Sequence, residues 1–156
     1  MDLSKKRVLI IKPSSLGDVI HSIPLVHALK RRHADCYIGW VIQKNLTGLI
    51  EDDPAVDELI PIEIPSTSEP SATSVTYIRA LTTTLKCLRS LRSKFVENPY
   101  DLVLDLHASF RSGLMAILNP RGFRLGFADA KELNSFFQSN LIHCEPTKVH
   151  AVDRIL

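Results

Sequence analysis

Apolar residues along this chain fall into two patterns. Short unbroken runs alternate with longer stretches whose apolar positions recur every three to four residues. "RVLII" at 7–11 is the first run, bounded by Lys-Lys before it and Lys-Pro-Ser-Ser after it. Its Val and Ile content and its length predict a strand over Arg7–Lys12 that is buried on both faces. From about Gly17 to Arg32, Val19, Ile20, Ile23, Val26 and Leu29 share one side of a predicted helix. Pro24 lies inside that helix and lacks an amide donor, so a kink or restart is expected there.

The alternation continues. "CYIGWVI" (Cys36–Ile42) predicts a second strand and Asn45–Leu49 a short helix. "DELIPIEI" predicts a weaker strand, placed at a sheet edge by Pro61. The polar stretch "PSTSEPSATS" (Pro65–Ser74) is too short for an interdomain linker and reads as a surface loop. Val75, Ile78, Leu81, Leu85, Leu88, Leu91 and Phe95 then form the clearest helical stripe in the chain. "YDLVLDLH" predicts a central strand, Ser109–Leu118 a helix, "FRLGFA" a strand and Ala130–Gln138 a weak helix. "NLIHCE" comes next, and "KVHAVDRIL" has the pattern of an opening helix. Strand–helix alternation of this kind predicts an α/β fold: a Rossmann-like parallel sheet with helices on both faces. Residues 1–147 would form the domain, and 148–156 the start of a crossover helix.

Composition narrows the function classes. The 156 residues are 45% hydrophobic, with a formal net charge of +2. That charge is too weak to favour nucleic acid as a partner. The three cysteines are scattered, without a C-x-x-C pair, so neither a disulfide framework nor a zinc site is indicated. No metal-ligand spacing occurs, and no apolar run is long enough for a signal-peptide core or a membrane span, which places the chain in the cytoplasm. G-x-G-x-x-G and the P-loop pattern are both absent, which argues against a dinucleotide or nucleoside-triphosphate turn after the first strand.

Ligands of such sheets bind beyond the carboxyl ends of the strands. The loops after Lys12, Ile42 and His107 therefore carry the candidate chemistry. In "KPSSLGD", Ser15 and Asp18 match the capping box [ST]-x-x-[DE]. Asp18 can equally face a cleft as a general base, with Gly17 allowing close approach of a ligand. The residues alone leave both roles open, and pattern frequency favours the cap. Lys12 at the strand end is either solvated or a contact to an anionic group. Ser14 and Ser15 are hydrogen-bonding or capping candidates, and His21 lies about one turn beyond Asp18. After the central strand, His107 and Arg111 are placed for ligand contact, whereas Asp105 reads as a structural acid satisfied by local backbone. Arg79 and Lys86, seven apart on the long helix, share a side that is solvated or attracts an anionic partner.

"RVLIIKPSSLGDVIHSIPLVHALK", "YDLVLDLHASFRSGLMA", "RLGFADAKE" and "HAVDR" together resemble, in the same order, the lipopolysaccharide heptosyltransferases of glycosyltransferase family 9. Ala108 departs from the many relatives that carry glycine after the "DLH" or "DLQ" triplet. The resemblance implies the N-terminal half of a GT-B enzyme that transfers heptose from ADP-heptose, with inversion, to the inner core of lipopolysaccharide. It implies that Asp18 is the base, and that Lys12, Ser14, Ser15, Gly17, His21, His107 and Arg111 contact the lipid A–inner-core acceptor. It implies no cofactor: the donor would be held by a second domain, and the 156 residues alone would be inactive. A location at the inner face of the inner membrane, with peripheral contact, is a further implication. The alternative is a non-catalytic Rossmann-like module that grips a phosphosugar or a partner protein.

Overall fold

The computed structural model describes residues 2–64, 74–130 and 133–143, with side chains from 82 onward in the long helix. Among the described residues, six parallel strands form one sheet: β1 (Arg7–Ile11), β2 (Tyr37–Gln43), β3 (Glu58–Ile62), β4 (Leu102–Asp105), β5 (Phe123–Phe127) and β6 (Asn140–Ile142). Their spatial order is β3-β2-β1-β4-β5-β6. The chain builds outward from β1 to one edge, then returns to the other side of β1. The order therefore reverses between β1 and β4, and this switch point leaves a crevice at their carboxyl ends. The register sets Ile11 opposite Val41 on one side and opposite Asp105 on the other.

Side chains leave a strand on alternate faces, so a parallel sheet covered twice needs apolar residues at both parities. Val8 and Ile10 join Ile38, Trp40 and Ile42 in one core, against Val19 and Val26 of α1 (Leu16–Arg32). Leu9 and Ile11 join Val41, Ile60 and Val103 in the other, against Leu91 and Phe95 of α2 (Ser74–Glu97) and Met115 and Ala116 of α3 (Phe110–Ile117). The expected Rossmann-like layout, helices on both faces, is what the chain forms. β3 is an edge strand, as Pro61 requires.

Three local expectations differ. α1 runs through Pro24 without a restart. Pro24 stands on the exposed side of the helix, where water can reach the carbonyl that loses its amide partner. The short helix after β2 is a 3-10 turn, Lys44–Leu49, and the described residues of the weak helix expected at 130–138 hold a 3-10 turn, Asn134–Phe137. Both segments are too short to repay helix nucleation. The loop at 65–73, "HAVDR" and the crossover segment 148–156 lie outside the described residues, as does the side chain of Arg79.

The amino ends of the strands are closed by a polar cluster. Glu58 accepts hydrogen bonds from Tyr100 Oη at 2.7 Å and Tyr37 Oη at 3.3 Å, and pairs with Lys94 at 2.6 Å. The Arg7 guanidinium lies over both tyrosine rings, 4.0 and 4.8 Å from their centroids. Gly39 makes room for this arrangement, because a Cβ there would collide with the Tyr100 hydroxyl.

Candidate functional site

The candidate site forms at the opposite, carboxyl end of the sheet. β1 ends at Ile11, and the chain turns through Lys12, Pro13 and Ser14 to Ser15, the N-cap of α1. Lys12 is only 8% exposed and is tied on three sides. Its amide reaches Val41 O at 3.4 Å, and its carbonyl accepts the Trp40 indole N–H at 3.2 Å. Its ammonium donates to Leu106 O at 3.0 Å, across the switch point, and lies 3.6 Å from Asp18 Oδ2. Gln43 completes the frame. Its amide donates to Pro13 O at 3.0 Å, and its side chain donates to Ile64 O at 2.9 Å.

Asp18 makes the contacts of the cap and also keeps an open side at the crevice. Its Oδ2 accepts the Ser15 amide at 3.0 Å and the Ser15 hydroxyl at 3.1 Å, so it is a capping acid. Its side chain is also 46% exposed at the crevice. Partial burial works to raise the carboxyl pKa. The Ser15 amide, the Lys12 ammonium and the Ser15 hydroxyl outweigh it and hold the carboxyl below its usual value. An added Cβ at Gly17 would meet no atom within 4 Å, so the space beside Asp18 is open.

A cavity of about 540 Å³ lies beside this turn, lined by Ser14, Ser15, Leu16, Gln43, Asn45, Leu46, Ile64 and Arg111. Three of the expected contacts, Ser14, Ser15 and Arg111, therefore share one wall set, and Asp18 adjoins it through Ser15. Arg111 reaches it from the first turn of α3, with an exposed side chain. Lys12 and His107 do not line it. Both are drawn into the protein, and His107 meets the Ser14 backbone. Burial, then the nearby Lys12 charge, lower the His107 pKa. Its Nδ1 is buried and has no hydrogen-bond partner among the described residues. His21 is half-buried on α1 and is not among the lining residues.

Gln43, Asn45 and Leu46 are functional candidates that sequence reasoning missed. The topology rule points to the loop after β2, yet no motif singles out these residues. Only the adjacency of β1 and β2 brings them to Ser14. Among the described residues, no group of three or more His, Cys, Asp or Glu side chains is placed to hold a metal ion, and no helix is long and apolar enough to cross a membrane.

The Rossmann-like sheet and its switch-point crevice match one half of the GT-B glycosyltransferases. A family 9 glycosyltransferase from Veillonella parvula superposes over 99% of this chain and 40% of its own, with a TM-score of 0.77 at 21% identity. E. coli heptosyltransferase WaaC, solved with ADP, superposes over 96% of this chain and 45% of its own, with a TM-score of 0.73 at 25% identity. In sequence, the model of glycosyltransferase family 9 (heptosyltransferase) matches residues 88–156. Lipopolysaccharide heptosyltransferase 1 of Salmonella typhimurium is 28% identical over 151 residues, 95% of this chain and 45% of that protein. Its counterpart in Pseudomonas aeruginosa is 31% identical over 108 residues, 68% of this chain and 28% of that protein. The chain is similar in sequence to heptosyltransferases of glycosyltransferase family 9. It spans less than half the length of these curated relatives.

Proposed function

We propose that this chain forms the acceptor-binding side of an inverting heptosyltransferase, with Asp18 as the general base. One observation carries the reading. A carboxylate held ionised by Lys12 and Ser15 stands half exposed at the switch point, beside a cavity lined by Ser14, Ser15, Gln43, Asn45 and Arg111. Hydroxyl and amide groups of this kind suit the hydroxyls of a sugar. Arg111 suits an anionic substituent.

The chemistry rests on that geometry. An acceptor hydroxyl is a very weak acid until its oxygen begins to bond to the anomeric carbon. Its proton then becomes acidic, so a carboxylate of low basicity can take it within the same step. What such a base needs is to be ionised and in place, and Lys12 and the Ser15 amide supply both. The nucleoside diphosphate leaves from the face opposite the attack, and configuration inverts, as in inverting glycoside hydrolysis with an alcohol in place of water. The donor of this reading is ADP-heptose, the acceptor the inner-core sugar on lipid A. The domain division at 147/148, with donor binding assigned to a second domain, belongs to the same proposal. So do a location on the cytoplasmic side and a peripheral membrane contact. A WaaC structure solved with ADP-2-deoxy-2-fluoro heptose gives the donor class precedent in that relative.

The test supplies the remaining half of a family 9 relative in trans with ADP-heptose and an inner-core acceptor. Heptose transfer that Asp18→Ala abolishes, with the fold intact by circular dichroism, supports the proposal. Acceptor binding without transfer under all conditions overturns it in favour of a non-catalytic phosphosugar-binding module.

A further inference from the structure

Asp105 closes β4, and its side chain is 1% exposed. A buried carboxylate is tolerated only when its lone pairs are filled. Here they are filled from two directions. Oδ1 accepts the amides of His107 and Ala108, each at 3.1 Å. Oδ2 accepts Ser112 Oγ at 2.9 Å, Asn134 Nδ2 at 2.7 Å and Gln138 Nε2 at 3.0 Å. Asn134 also donates to Ser109 O at 2.6 Å and accepts from Gln138 at 3.1 Å. The expectation of an acid satisfied by local backbone covers only the first pair. The remaining donors come from α3 and from a turn about thirty residues further on. Ala108 meanwhile sits in the left-handed region at φ 57°, which a residue with a Cβ adopts at a cost. Something must hold it there, and the Asp105 carboxylate accepts its amide.

We propose that Asp105, Asn134 and Gln138 form a buried bracket that positions the β4–α3 loop, so that the 134–138 turn sets the placement of His107 and the start of α3 from behind the crevice. These are positioning residues and touch no substrate. The bracket gives a role to the 134–138 turn just beyond "RLGFADAKE", a region that the proposed chemistry leaves unused. Its relevance to acceptor binding rests on the function proposed above, but its test does not.

Amide hydrogen exchange of the full chain reads the bracket directly. Asp105→Asn turns an acceptor into a donor that faces Asn134 and Gln138. Exchange at Ala108 and His107 is expected to speed up by about 10- to 100-fold, while Ile10 and Trp40 in the central strands keep their protection. Should Asp105→Asn fail to fold, Gln138→Met carries the test by removing a single donor. It should raise exchange at Ala108 several-fold and leave the central strands unchanged. Exchange at Ala108 and His107 that stays at the wild-type rate in Asp105→Asn and Gln138→Met would overturn the bracket. A loosened loop without any loss of acceptor affinity would leave the bracket standing and count against the acceptor reading alone.

Discussion

At the scale of single residues, Gly17 separates binding from folding. Among the described residues, no atom occupies the place of its missing Cβ. Gly17→Ala should therefore raise stability, by up to about 1 kcal/mol from helix propensity. The added methyl would stand beside Asp18, in the space that the proposed function assigns to the acceptor. Urea denaturation and acceptor titration should thus move in opposite directions, and parallel losses would contradict the role given to this open space. Lys12 makes the complementary case. It reaches Asp18 and Leu106 from within the protein, and so acts on the carboxylate before any ligand arrives. Lys12→Met removes one of the groups that hold the Asp18 carboxyl low. The Asp18 titration midpoint, followed by carbon-detected NMR, should rise in that variant. An unchanged midpoint would show that the Ser15 bonds suffice.

At the scale of elements, the two ends of the sheet use carboxylates differently. Asp18 is anchored yet open to solvent, whereas Glu58 is enclosed by Tyr37, Tyr100, Lys94 and Arg7. Burial raises the Glu58 pKa, but the Lys94 and Tyr100 hydrogen bonds outweigh it and hold the carboxyl below its ordinary 4.5. The native state then binds this proton more weakly than the unfolded chain. The contribution to stability is fully present above pH 4.5 and is lost as pH falls through the lower native value. Denaturation midpoints measured across the acid range should show this slope in the wild type and a reduced slope in Glu58→Gln. An identical slope in both would remove Glu58 from the acid response.

At the scale of the whole molecule, the sheet was legible because each buried strand is a continuous apolar run at both parities, as in "RVLII" and "LVLD". The candidate site follows from the same topology, since a parallel sheet of this strand order offers a crevice at its carboxyl end. Contacts made by strand order rather than by spacing were not legible. Asn45 approaches Ser14 because β2 lies beside β1, and Asn134 reaches Asp105 by folding back beside α3. No local pattern carries either fact. Pro24 failed as a break signal because it falls on the wet side of α1, where the lost amide is cheap.

The bond from Trp40 to the Lys12 carbonyl gives the molecule an intrinsic optical probe. The chain contains one tryptophan, its indole is fully buried, and its N–H rests on the residue that touches Asp18. Tryptophan emission from this chain therefore comes from a single indole linked to the crevice through Lys12. An occupant that shifts the Lys12 backbone should change its intensity or wavelength without any label. Lys12→Met should alter the resting spectrum, and a site that fills silently would mean that the β1 turn is already set before its ligand arrives.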